Sequence, residues 1–157
     1  MKTAEEKKAC PKFSFVSTDE IITSLKDLKG QNVVLYFYPR DNTPGCTSEA
    51  EDFKKKYKNF KKLNTEIVGI SRDSLASHTR FAEKLKLPFP LIADEDEKIC
   101  QLFDVMKDKN MYGKKVRGIE RSTFLIDPSG KILKIWRKVK VSDHVSEVLA
   151  FVKASLE

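Results

Sequence analysis

The sequence contains no long hydrophobic run, and this absence excludes one broad class of protein. Its longest uninterrupted apolar stretch is residues 33–38, whereas a transmembrane helix needs about 20 apolar residues. The first eight residues are mostly charged and no apolar segment follows them, so we expect neither a membrane anchor nor a secretory signal. Both observations favour a cytoplasmic protein.

Cysteine and histidine are scarce. The three cysteines, Cys10, Cys46 and Cys100, form neither a Cys-x-x-Cys pair nor a metal-ligand spacing, so we expect no structural disulfide, no metal site and no cofactor. The two histidines, His78 and His144, match no Cys–His hydrolase pattern, and we predict surface positions on helices for both. A reducing compartment would keep the cysteines as thiols.

Composition predicts one domain over residues 1–157, because 40% hydrophobic residues are enough for one core. The net charge of +7 permits binding to nucleic acid. However, the lysines of residues 54–62 occupy outward helix positions and no nucleic-acid motif accompanies them, which favours a solvated face. A basic DNA-associated or chaperone-like protein with an incidental thiol remains the alternative.

A strand and a helix flank the most informative loop. Residues 33–38 form a continuous apolar run of mainly β-branched and aromatic side chains, as is typical of a strand buried on both faces. The chain breaks at Pro39, and Thr43 followed by Pro44 predicts the start of a helix. An apolar series continues at helical spacing, namely Ala50, Phe53, Tyr57 and Phe60. Cys46 therefore lies in the first turn, where free backbone N–H groups and the helix dipole favour a thiolate.

The remaining segments predict alternating strands and helices. We expect a flexible tail over residues 1–12, then, in order, a short hairpin (13–16 and 21–23), a helical turn (24–30), a strand (66–71), a helix (74–87), a short strand (90–93), a helix after Asp94 or Asp96, a long loop (107–120), a hairpin (121–127 and 131–139) and a final helix (142–156). Strands that alternate with helices imply a parallel arrangement with right-handed crossovers.

One stretch resembles a known family. Residues 38–49 read Tyr-Pro-Arg-Asp-Asn-Thr-Pro-Gly-Cys-Thr-Ser-Glu, in which Pro39, Thr43 and Cys46 match the Pro-x-x-x-Thr-x-x-Cys signature of peroxiredoxins. The stretch is similar to the bacterioferritin comigratory protein (Bcp, or PrxQ) subfamily, and the similarity extends through residues 69–71, 89–94 and 121–127. This resemblance implies an α/β thioredoxin-like fold, with a central mixed β-sheet flanked by helices and an N-terminal hairpin.

The resemblance also implies an activity and a set of site residues. Such enzymes reduce hydrogen peroxide and organic hydroperoxides, here with the Cys46 thiolate as nucleophile and a sulfenic acid as intermediate. Thr43, Arg121 and backbone N–H groups near Gly45 would stabilise the reacting oxygens. Pro39 would shield the thiolate.

Glu49 is similar to a supporting glutamate of the family, although a solvated acid in the first helical turn is an alternative. A thiol–disulfide oxidoreductase of the same fold would need a cysteine at this position, three residues after the nucleophile. The glutamate therefore disfavours that second class of enzyme.

The chain departs from the family pattern at Glu51, where many members carry the resolving cysteine. We expect Cys100 to be inert core, since free cysteines are often buried, and Cys10 to be idle in the tail. A resolving role for Cys100 or Cys10 is the alternative. A one-cysteine cycle is the leading interpretation, with an external thiol such as thioredoxin, glutaredoxin or glutathione as reductant. The resemblance favours a monomer or weak homodimer.

Overall fold

A computed structural model describes residues 4–156. The strands are β1 (Val16–Ser17), β2 (Asn32–Phe37), β3 (Thr65–Ser71), β4 (Leu91–Ala93), β5 (Met106–Met111), β6 (Lys114–Ile119), β7 (Ser122–Ile126) and β8 (Ile132–Trp136). The helices are α1 (Pro44–Lys62), α2 (Leu75–Leu85), α3 (Lys98–Leu102) and α4 (His144–Ser155), with a 3-10 helix at Leu25–Leu28. None of the helices in this described part combines the length and the apolar character that crossing a membrane requires.

Six strands form a mixed sheet in the spatial order β1-β4-β3-β2-β7-β8. β2 pairs in parallel with β3 and antiparallel with β7, so it lies inside the sheet. All six residues of β2 are buried, because successive side chains point to opposite faces and both faces are covered. The predicted buried strand and the predicted mixed sheet are confirmed.

Each face of the sheet has its own apolar core. On one face α1, α2 and α4 pack around Cys46, Phe53 and Val148, and we call this the Cys46 face. On the other face α3 and the first described residues pack around Cys100 and Phe103, and we call this the Cys100 face. The sheet separates the two cores.

The beginning of the described chain is attached to the sheet. Ala4 is buried, and the N–H of Cys10 donates to the carbonyl of Gly130 at 2.8 Å, beside the turn between β7 and β8. The predicted flexible tail over residues 1–12 is therefore wrong for its hydrogen-bonded part, because the exposed edge of β8 offers backbone partners. Residues 1–3 of that prediction lie outside the described residues.

The predicted N-terminal hairpin is present only as a short contact. Phe15 donates its N–H to the carbonyl of Thr23 at 2.8 Å, and Ser14 forms a bridge with Ser24. The regular strand of this segment, β1, instead pairs with β4 at the edge of the main sheet.

The predicted long loop over residues 107–120 is wrong. This segment forms an antiparallel ribbon of β5 and β6, joined by Tyr112 and Gly113, which both have positive φ angles of 52° and 77°. Two such residues are typical of the tight turn that matches strand twist. The ribbon escaped prediction because half of its strand residues are charged and its strands lack the alternation of apolar side chains that marks a half-buried strand.

Candidate active site

In the loop between β2 and α1, the strand ends and the helix begins where the sequence predicted. Thr43 is the N-cap residue of α1, with extended backbone angles, and Pro44 is the first helical residue. The Thr43 hydroxyl does not cap the helix, since it donates to the carbonyl of Arg40 at 2.9 Å. Pro39 is half-buried in the same loop. The sequence therefore predicted the helix start correctly, while the hydroxyl has a different partner.

Cys46 lies in the first turn of α1 and is only 1% exposed. Arg121 directly precedes β7, and the antiparallel pairing of β7 with β2 brings it back to this turn. Its Nη2 donates to the Cys46 Sγ at 3.4 Å. Gly45 makes room for this approach, because a Cβ atom there would lie 3.2 Å from the same nitrogen. The structure thus brings together two residues that are 75 positions apart.

Glu49 holds the other side of the same guanidinium. Its Oε1 accepts from Arg121 Nη1 at 2.7 Å, and its side chain is fully buried. The alternative of a solvated acid at this position is therefore wrong. Burial raises the pKa of Glu49 to about 7 despite the opposing effect of Arg121, and its Oε2 has no hydrogen-bond partner among the described residues.

Arg121 is consequently a cation held between a carboxylate and a sulfur atom. Burial works against its charge, but Glu49 and Cys46 outweigh burial and raise the pKa of Arg121 above its ordinary value. A permanent positive charge at the sulfur can stabilise negative charge on a bound substrate. This geometry suits nucleophilic attack by Cys46 on an electrophile that becomes more anionic as it reacts.

The other two cysteines belong to the opposite face of the sheet. Cys100 is fully buried in the core of the Cys100 face, and Cys10 packs against that core. Burial raises the pKa of Cys10 to about 12. Burial also raises the pKa of Cys100, with a further contribution from Asp94, whose carboxylate accepts the Cys100 N–H at 2.8 Å. The structure does not bring either thiol to Cys46.

Both histidines are buried, so the prediction of surface positions is wrong. His78 is fully buried in α2, and His144 is 3% exposed at the start of α4. His144 Nε2 lies 2.8 Å from the Thr123 Oγ1, and burial together with nearby Arg121 lowers the pKa of His144 to about 4. The signal was available, because His78 stands at helical spacing from Phe81 on the apolar side of its helix.

Sequence reasoning missed a polar cluster under the active-site loop. The carboxylate of Asp41 accepts from Tyr38 at 2.6 Å and from Ser77 at 2.8 Å, and it lies 2.8 Å from His78 Nδ1. The backbone N–H of Asp41 donates to Asp73 at 2.9 Å. In the sequence the only signal of this cluster was the Asp41 carboxylate inside the motif. Nothing in the motif indicated the partners of Asp41 on α2.

The sheet, the helix that begins at the thiol, and the guanidinium together define a cysteine-dependent enzyme of the thioredoxin-like fold class. The AhpC/TSA family model matches residues 7–135. The chain is 53% identical to Peroxiredoxin Bcp of Bacillus subtilis over 129 residues, and the alignment covers 82% of each chain. It is 41% identical over 143 residues to Peroxiredoxin Bcp of Escherichia coli, which covers 91% of this chain and 92% of that protein.

Solved structures give the same result. Peroxiredoxin Q of Xanthomonas campestris matches with a TM-score of 0.87 and 48% identity over 92% of each chain. A mutant of PrxQ from Xylella fastidiosa matches with a TM-score of 0.89 and 40% identity over 98% of this chain and all of that one. The chain belongs to the AhpC/TSA family, in the Bcp/PrxQ group of peroxiredoxins, and is a thiol-dependent peroxidase. The predicted family, fold and enzyme class are confirmed.

Proposed function

We propose that this chain reduces hydrogen peroxide and organic hydroperoxides by a one-cysteine cycle centred on Cys46. The observation that carries the proposal is the Arg121 guanidinium, which donates to the Cys46 Sγ at 3.4 Å and to Glu49 at 2.7 Å. A thiol with an incidental role would not require a partly buried arginine and a fully buried glutamate around it, because isolated buried charges are costly.

In the first half of the cycle the Cys46 thiolate attacks one oxygen of the peroxide. A sulfur–oxygen bond forms, the O–O bond breaks with its electron pair on the leaving oxygen, and a proton converts that oxygen into water or an alcohol. The sulfur is oxidised to a sulfenic acid. One peroxide is thereby reduced by two electrons.

Arg121 and the first turn of α1 stabilise the charge that spreads over both oxygens as the O–O bond lengthens. The free N–H groups near Gly45 and Cys46 point along the start of the helix and act as further donors. The Thr43 hydroxyl donates its hydrogen bond to the backbone carbonyl of Arg40. Its oxygen is therefore available as an acceptor for a peroxide O–H. Pro39 limits access of water from the loop side.

In the second half an external thiol attacks the sulfenic sulfur, which forms a mixed disulfide and releases water. A second thiol then attacks this disulfide, regenerates the Cys46 thiol and leaves as the oxidised reductant. Two observations favour an external reductant. Glu51 occupies the usual resolving position, and Cys10 and Cys100 both lie on the Cys100 face. Thioredoxin, glutaredoxin and glutathione are the reductants we propose.

Organic hydroperoxides are included because of a structural neighbour. The Bacterioferritin Comigratory Protein of Xanthomonas campestris, which matches this chain with a TM-score of 0.87 and 47% identity, has alkyl peroxide reduction activity. We extend that substrate class to this chain together with hydrogen peroxide.

Three further expectations accompany this function as proposals. We propose a cytoplasmic location, since the cycle needs a supply of reduced thiols. We propose a single domain over residues 1–157, because both apolar cores share one sheet. We also propose a monomer or weak homodimer.

The test is to oxidise reduced protein with about one equivalent of peroxide and to trap the sulfenic acid with dimedone. We expect the adduct on Cys46 and its loss in Cys46→Ser. Turnover with a thioredoxin system should continue in Cys10→Ser and in Cys100→Ser. If either of these variants oxidises normally yet stops after one turnover, the one-cysteine cycle is wrong.

The same variants separate the peroxidase from the alternative of a basic DNA-associated protein. That alternative predicts a strongly salt-dependent affinity for DNA, unaltered in Cys46→Ser. A protein that binds DNA in this way and leaves peroxides unreduced would overturn the proposed function.

A further inference from the structure

Asp41 attaches the active-site loop to α2. Its carboxylate receives hydrogen bonds from Tyr38 and Ser77, and its backbone N–H is bound by Asp73. Asp41 lies between Pro39 and Thr43 in the chain. Its contacts therefore fix the middle of the segment that carries two proposed active-site residues.

His78 completes this attachment from the inside of α2. Its Nε2 lies 2.8 Å from the carbonyl oxygen of Ile92, and its Nδ1 lies 2.8 Å from Asp41 Oδ2. A carbonyl oxygen can only accept, so Nε2 carries a proton. Burial disfavours the charge of Asp41, but hydrogen bonds from His78 and Tyr38 outweigh it and lower the pKa of that carboxyl. Because an ionised carboxylate also only accepts, Nδ1 carries a proton as well.

Ligand type alone would allow a divalent cation among Asp41, Asp73 and His78. Both ring nitrogens of His78 and both carboxylate oxygens of Asp41 are instead engaged by protein groups. The cluster is thus complete as a hydrogen-bonded ion pair. Its charged and titratable members are Asp41, Asp73, His78 and Tyr38.

We infer that the buried Asp41–His78 ion pair is a positioning element for the peroxidase reaction, which holds the loop over residues 39–43 against α2 and so keeps this loop ordered and Cys46 covered. The inference rests on the proposed role of Cys46. Asp41 and His78 bind each other, whereas the hydrogen-bond donor to the Cys46 sulfur is Arg121. Asp41 and His78 therefore act through the loop. A displacement of about 1 Å in such a loop can lower a rate by about a hundredfold.

The closure matters because Cys46 is 1% exposed. An ordered loop presents Thr43 and the first turn of α1 to a small peroxide, while it excludes larger reagents. Loss of the ion pair should consequently change the two kinds of reaction in opposite directions.

The experiment compares His78→Gln with Val152→Ala. Glutamine cannot donate to both Asp41 and Ile92, whereas Val152→Ala removes buried methyl groups from α4 on the same face and leaves the loop contacts intact. The rate constant of reduced Cys46 with hydrogen peroxide and the rate of its alkylation by iodoacetamide are measured for each, at a temperature where circular dichroism shows folded protein.

We expect His78→Gln to lower the peroxide rate constant about tenfold or more and to raise the alkylation rate several-fold, while Val152→Ala changes neither. An unchanged peroxide rate in His78→Gln, or the same pair of changes in Val152→Ala, would overturn the inference. If His78→Gln does not fold, Ser77→Ala removes one donor to Asp41 and should show the same opposite changes at smaller size. Alkylation needs no peroxidase activity, so failure of the proposed function is recognised separately.

Two further measurements examine the ion pair itself. Asp41→Asn combined with His78→Gln should react with peroxide no more slowly than the slower single variant, because the two residues act as a unit. If the factors by which the two single variants lower the peroxide rate multiply in the double variant, the pairing of Asp41 and His78 is contradicted. In nitrogen NMR of the resting protein near neutral pH, we expect both ring nitrogens of His78 to carry protons. A single protonated nitrogen would overturn the ionic assignment.

Discussion

The two faces of the central sheet place cysteine in opposite chemical settings. On the Cys46 face the thiol begins a helix and meets a guanidinium. On the Cys100 face the thiols of Cys10 and Cys100 lie against apolar side chains, and the charged group that acts most strongly on Cys100 is the Asp94 carboxylate. Burial is almost complete for both Cys46 and Cys100. We therefore expect reactivity to follow the charge beside the sulfur and not its exposure.

The largest expected contrast is in thiol labelling. In a Cys46→Ser background, Cys10 and Cys100 should react with iodoacetamide at pH 8 far more slowly than free cysteine. A thiol with a pKa near 12 is ionised roughly a thousandfold less at that pH than one near 8.5. Mass spectrometry follows each site, and the same protein in urea should label rapidly at both. Fast labelling of the native protein would break the comparison.

The next largest effect concerns the guanidinium. Arg121→Gln should lower the rate constant for peroxide by about 100- to 1,000-fold, as loss of a preorganised donor does in other enzymes. Arg137→Gln is the matched control, because among the described residues Arg137 donates to the backbone carbonyls of Phe103 and Asp104, and it lies over the Phe124 ring of the Cys100 face. Stopped-flow kinetics should show an unaltered rate for this control. Equal losses in both variants would mean that Arg121 acts only through stability.

A smaller effect is expected in the pH dependence of stability. Glu49 has a pKa of about 7 in the folded protein, against 4.5 for an unperturbed glutamate, so the folded state binds this proton more tightly than the unfolded state. The contribution of Glu49 to the free energy of unfolding should therefore fall as pH rises between these values, by about 3 kcal/mol in total. Above pH 7 it should stay constant.

Urea unfolding from pH 4.5 to 8 measures this dependence. Glu49→Gln should remove the decrease, because its side chain does not titrate. Glu51→Gln on the exposed side of the same helix should retain it. An identical pH profile for wild type and Glu49→Gln would show that the carboxyl ionises normally.

The smallest effect is steric. In Gly45→Ala the new Cβ would lie 3.2 Å from Arg121 Nη2, so the guanidinium must shift by a few tenths of an ångström. We expect a loss of a few-fold in the peroxide rate constant. Gly118→Ala in β6 meets no atom within 4 Å and should react as wild type does. A rate for Gly45→Ala above that of wild type would contradict the close approach.

Local signals predicted the part of the site that is local in sequence. The strand, Pro39, the helix start at Pro44 and the place of Cys46 all follow from patterns within about twenty residues, and β2 and α1 confirm them. Family resemblance supplied Arg121, whose approach to Cys46 depends on pairing between distant strands. No periodicity in the sequence could have indicated that pairing.

The polar contacts below the site could not be predicted in this way. His78 and Asp41 are 37 positions apart, and a histidine on an apolar helix face does not reveal which carboxylate it meets. The charged ribbon of β5 and β6 could not be predicted for a related reason. Its turn residues hold unusual φ angles without an Asn-Gly or Asp-Gly signature.

The backbone of residues 7–10 has a consequence for self-association. Lys7 donates to the carbonyl of Ile132, and the N–H of Ile132 donates to Lys8, so these residues cover the outer side of β8, the last strand of the sheet, at its first residue. An unprotected last strand offers its N–H and C=O groups to any other extended chain. By binding the N–H and C=O groups of Ile132, residues 7–10 protect this edge from pairing with another chain and so oppose aggregation. Fusions or deletions that displace residues 7–10 should be avoided when the protein is produced.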